Sequence, residues 1–96
     1  MNIDPEFAKN TIKFVDETLE AYKAAEVEPN VVSKWGCENV GDFGIGFFVG
    51  VVTGKIICEF QHSQKRDPNG EEHAEIVALI QTRSKEIKEF FLKFNN

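Results

Sequence analysis

The side chains that come nearest to a chemical grouping are His62, His73, Glu71, Glu72 and Glu75. Imidazoles with carboxylates are the material of metal sites and of general acid–base pairs. On a helix, metal ligands normally sit three or four residues apart, so that they share a face. Glu71 and Glu75, or Glu72 and Glu75, have that spacing, but His73 has no partner at it. Acids here also suit the positive end of a helix starting near residue 70. The expectation is no metal, no cofactor and no catalytic residue. A small enzyme or a metal- or ligand-binding protein using His62, His73 and the nearby acids is the alternative.

Other reactive patterns are incomplete. Gly41-Asp42-Phe43-Gly44-Ile45-Gly46 does not form the G-x-G-x-x-G that binds a dinucleotide after a strand, and Gly54-Lys55 is followed by Ile56 where a phosphate loop needs Ser or Thr. No G-x-S-x-G is present, and neither Cys37 nor Cys58 has a base placed beside it by the sequence. With no signal peptide ahead of them, the two cysteines read as free thiols in a reducing cytoplasm rather than as a disulfide or a zinc motif.

What must be positioned, then, is a surface. Asp42 to Phe60, DFGIGFFVGVVTGKIICEF, holds the longest apolar run and places Gly46, Gly50 and Gly54 four residues apart. On a helix that spacing makes a stripe without side chains, where another backbone can approach. Phe48, Val52, Ile56 and Phe60 form a second stripe at the same spacing, widened by Ile45 and Val49. Asp42 reads as the N-cap. A β-hairpin over residues 43–60, giving an α+β fold, is the alternative, since Val, Ile, Phe and Thr favour strands. A membrane span is disfavoured because the 15 residues from Gly44 to Cys58 include Lys55, whereas a span needs about 20 apolar residues.

The flanking segments read as helices. Asp4-Pro5-Glu6 is a helix start, and Ala8, Ile12, Val15, Leu19 and Tyr22 recur at three and four over residues 5–26. Asp4-Pro5-Glu6-Phe7 also resembles a cloning linker, so no function is rested on residues 1–7. Asn30 can cap a short helix, Val31 to Trp35, ended by Gly36, with Trp35 anchoring it to the core. Glu38 to Gly41 then turn into the central helix. Asn69 with Glu72 makes a capping box for a last helix over Gly70 to Phe94, whose seam His73, Ile76, Ile80, Arg83, Ile87, Phe90 and Phe94 suits packing on another helix. Within that seam Arg83 must reach water or meet a carboxylate, with Glu59 one candidate.

At 96 residues the chain fits one domain, residues 1–96, and its nine phenylalanines supply much of the buriable area. The charge of -5 arises wholly before residue 43, where nine acids meet four bases (9 - 4 = 5), which disfavours nucleic acid as a partner. The sequence therefore predicts an all-α bundle of three long helices and one short one, acting without catalysis. Its interface residues would be Gly46, Gly50, Gly54, Phe48, Val52, Ile80, Arg83 and Ile87, and its partner a second copy of itself or another protein. A homodimer is expected, because the central helix offers more apolar surface than two amphipathic helices can cover. A peripheral membrane protein is the third alternative.

Overall fold

The computed structural model describes residues 3–25 and 36–95. In chain order these form α1 (Pro5–Ala24), α2 (Val40–Gln64), α3 (Gly70–Gln81), α4 (Ser84–Phe91) and a final 3-10 turn, Leu92–Phe94. The described residues contain no strand, so the hairpin alternative over 43–60 is excluded and the all-α class holds. The short helix Val31 to Trp35 lies outside the described residues.

In α1, the Asp4 side chain accepts from the Phe7 N–H at 3.1 Å and Pro5 occupies the first turn, where its missing N–H costs nothing. The buried face is Ala8, Thr11, Val15 and Leu19, with Ile12 and Tyr22 half-buried. Thr11 tolerates burial because its hydroxyl donates to the Phe7 carbonyl at 2.9 Å. Ile3, ahead of the helix, is buried, and its N–H donates to Glu75 of α3 at 3.1 Å.

α2 is the spine. It is 25 residues long, about 37 Å at the rise of an α-helix, within a molecule of 41 × 22 × 19 Å. It starts earlier than the sequence indicates: Asn39 is the N-cap, Val40 and Gly41 are already helical, and Asp42 sits in the first turn. The cap comes from the far end of the chain. Asn95 accepts from the Gly41 and Asp42 N–H groups at 2.7 and 3.2 Å. Lys65 closes the other end in the left-handed region, φ 59°, with its N–H on the Gln61 carbonyl.

The last helix is two helices, which corrects the single helix expected over 70–94. α3 begins with the capping box foreseen at Asn69 and Glu72. Its final turn tightens at Thr82, whose N–H is shared between the Ala78 and Leu79 carbonyls at 3.2 Å and whose hydroxyl donates to Leu79 at 2.6 Å. Arg83 turns aside there to meet Asp16 of α1, with Nε and Nη2 donating at 2.7 and 3.2 Å. Glu59 instead pairs with Lys55 at 3.2 Å. Ile76, Ile80, Ile87 and Phe90 are buried as the seam predicts, whereas His73 faces solvent.

The core brings Val15 and Leu19 of α1, Phe48, Val52 and Ile56 of α2, Ile76 and Ile80 of α3, and Ile87, Phe90 and Phe91 of α4 into one cluster. Phe48 stands edge-on to Tyr22 at 5.2 Å and 5.6 Å from Phe91. Such ring pairs add to area burial because positive edges meet negative faces.

Candidate functional site

The five grouped acids and histidines are not gathered as metal ligands would be. Glu72 is buried, takes Arg66 Nη1 and Nη2 at 2.7 and 2.8 Å, and accepts from the Asn69 N–H at 2.9 Å. The Arg66 hydrogen bonds, followed by that from Asn69, outweigh burial and hold the Glu72 carboxyl down to about 2. Arg66 is raised in turn by Glu72, and it lies over the Phe60 ring at 5.1 Å. Glu75 accepts from Ile3, and His62 and His73 are exposed. Among the described residues no three His, Cys, Asp or Glu side chains come together as metal ligands would. Glu72 with Arg66 fastens the α2–α3 turn, and Glu75 ties Ile3 to α3.

What the fold does present is the outer face of α2. Gly46, Gly50 and Gly54 each follow a buried residue, Gly44, Phe48 and Val52, by two positions. Two residues turn a helix by about 200°, so the glycine stripe lies directly away from the core. Among the described residues, a Cβ built on any of the three meets no atom within 4 Å beyond the helix's own backbone. Beside the stripe, one position further on, stand Phe47 and Val51, 52% and 46% exposed. Phe43 stacks on Phe47 with ring centroids 6.5 Å apart. A bare groove and an apolar ridge thus run side by side at one spacing. Cys58, also exposed, continues the glycine line.

This narrows the expected interface. Phe48, Val52, Ile80 and Ile87 are at most 2% exposed within the chain's own core, and Arg83 is engaged with Asp16. Only Gly46, Gly50 and Gly54 of the expected residues face outward, and Phe47 and Val51 join them. The sequence held a signal for that ridge, since Phe43, Phe47 and Val51 share the four-residue spacing. It held less for Gly41 and Gly44, the two glycines that do pack: a Cβ at Gly44 would lie 2.6 Å from the Phe91 ring, and one at Gly41 would collide with the Phe91 carbonyl oxygen.

Two other surface features bear on function. A groove of about 320 Å³ between α1 and α2 is floored by Phe7, Phe14 and Ile56, and the charges at its rim, Lys55 and Glu59, neutralise each other. α2 is also long and apolar enough to cross a membrane by length and composition, and only 28% of its most apolar 18-residue window is buried. Compared with models of known families, with curated proteins and with solved structures, the chain matches none.

Proposed function

We propose that this protein works by association rather than catalysis, and that the outer face of α2 is where a second copy of the chain binds. The observation that carries this is the position of Gly46, Gly50 and Gly54 in open space. Glycine in an exposed helix interior costs about 1 kcal/mol relative to alanine. Three of them cost about 3 kcal/mol, with no close contact from the described residues to offset it. An absent side chain is useful only where another backbone must approach, and here that backbone comes from outside.

A second copy fits because it brings the same two features. The ridge of Phe43, Phe47 and Val51 repeats at the spacing of the glycine groove, so identical faces interdigitate, as a symmetric pair requires. Burying Phe47 and Val51 supplies the driving force. The acidic charge makes nucleic acid a poor partner, and the reading places the protein in the cytoplasm.

Gly50→Leu tests this, since a Cβ at position 50 meets none of the described residues within 4 Å. Sedimentation velocity should show a wild-type dimer and a folded, monomeric variant. A variant that dimerises as well as the wild type overturns the assignment of the face.

The exposed Phe47 and Val51 of α2 support a second reading, a peripheral membrane protein whose outer face rests on lipid. Co-sedimentation with phosphatidylcholine vesicles separates the two. Wild-type protein that pellets with vesicles, and no longer does so with Val51→Glu and Phe47→Glu, supports lipid over a second copy.

A further inference from the structure

We infer that α4 is an exchangeable element: the bend at Thr82 and Arg83 straightens into one helix, and two copies trade their α4 helices, each seated on the other's α2. The inference does not depend on the outer face of α2.

The bend has no cause in the local sequence. From Glu71 to Asn95 there is no glycine or proline, the residues that ordinarily break a helix. Thr82 already lies in the helical region, at φ -62° and ψ -17°. Arg83 alone departs, at φ -106° and ψ 16°, and its return to a helix takes rotations of about 40° and 60°. The bend also forgoes backbone bonds. The Arg83 N–H reaches three residues back, to the Ile80 carbonyl at 3.0 Å. Among the described residues no side chain caps the first turn of α4, whose N–H groups a continuous helix would pair with the carbonyls of the last turn of α3. The seam of Ile76, Ile80, Arg83, Ile87 and Phe90 keeps its alternating four and three through the bend, so the straightened helix retains one apolar face.

What holds the bend is tertiary. Arg83 donates to Asp16 of α1 at 2.7 and 3.2 Å. Phe91 lies 5.6 Å from Phe48 and packs against Gly41 and Gly44, and Asn95 caps the start of α2. Straightening within one chain carries Phe91 and Asn95 away from these places and uncovers Phe48. A second copy offers an identical α2, so a reciprocal trade restores each of those contacts between chains while both bends gain helix bonds. The partner is thus specified by contacts the chain already makes with itself. Because α4 must undock first, the traded dimer forms when the chain refolds at high concentration and persists on dilution.

Cross-linking decides whether α4 is traded. Lys23 of α1 and Glu89 of α4 are exposed and line one surface groove. A chain carrying Lys23→Cys and Glu89→Cys, with Cys37→Ser and Cys58→Ser to remove the native thiols and Gly50→Leu to silence the outer face of α2, is refolded from urea at high micromolar concentration. Gel filtration separates monomer from dimer, and each fraction is treated with a short bis-maleimide. On a denaturing gel the dimer fraction should run as a covalent dimer, with peptide mapping joining 23 to 89, and the monomer fraction should be linked within the chain. Adding Ser84→Pro should lower the dimer yield by at least about tenfold, because proline is tolerated in the first turn of α4 but breaks a continuous helix. Circular dichroism checks that this variant still folds; if it does not, the cross-linking result stands alone. A refolded dimer linked only within its chains, a chain that refolds only as monomer, or a folded Ser84→Pro variant that dimerises as well as its parent overturns the exchange. None of these outcomes bears on the outer face of α2, which is read on native protein that has never been unfolded.

Discussion

A methyl group at Gly44 would sit 2.6 Å from the Phe91 ring, and one at Gly46 would meet none of the described residues within 4 Å. The same substitution should therefore act in opposite directions two residues apart. Gly44→Ala is expected to destabilise the fold by about 1–3 kcal/mol through overpacking. Gly46→Ala should stabilise the monomer by up to about 1 kcal/mol through helix propensity. Urea denaturation at low protein concentration measures both, and stabilisation by both would mean that Gly44 is not in contact with α4. Sequence could not separate these glycines, because a four-residue spacing describes a stripe without saying which side of the helix is covered. The buried stripe of Phe48, Val52, Ile56 and Phe60 was legible from its bulk. That the opposite stripe stays bare depends on how many helices pack on α2, which periodicity does not encode. The Arg83 partner was hidden for a related reason: Asp16 is 67 residues away, and only the packing of α1 on the α3–α4 bend brings it near.

Helix ends carry the element-scale lessons. The caps at Asp4 and Asn69 were legible because their partners lie three residues on. The cap of α2 was not, because its acceptor is Asn95, more than fifty positions away. Lys65, at φ 59°, holds a place that glycine fills at less cost, and no local motif announced it. Lys65→Gly should raise stability by about 1 kcal/mol, read as a shift in the urea midpoint; a loss would show that the lysine side chain makes a contact worth more than the strain. The α2–α3 turn should also be sensitive to acid. The Glu72 carboxyl is held at about 2 in the folded chain against an ordinary 4.5. Its folded value is the lower one, so its contribution is complete above the unfolded value and fades as pH falls from about 4.5 toward 2. Glu72→Gln should flatten the dependence of stability on pH across that window, and an unchanged slope would place the acid sensitivity elsewhere. The break at Thr82 escaped the heptad reading because the apolar seam continues through it, while the shared hydrogen bonds that make the bend leave no trace in hydropathy.

At the scale of the molecule, the described residues cover α2, an apolar helix, on one side. α1, α3 and α4 bury its Phe48 face, and the opposite face presents glycine beside Phe47 and Val51. A helix that is apolar all round is ordinarily buried all round, so the central claim is that a second copy completes the cover. The fold class was legible because long periodic segments identify helices. The site was legible only as a stripe, because the core-facing residues that accompanied it, Phe48, Val52, Ile80 and Ile87, are used within the chain. Sedimentation equilibrium on the wild-type protein, from low to high micromolar concentration, tests the claim most directly. The account predicts a mass that rises with concentration toward twice 10.9 kDa and a curve that Gly50→Leu flattens at the monomer value. A wild-type chain that keeps the monomer mass at the highest concentration would contradict it.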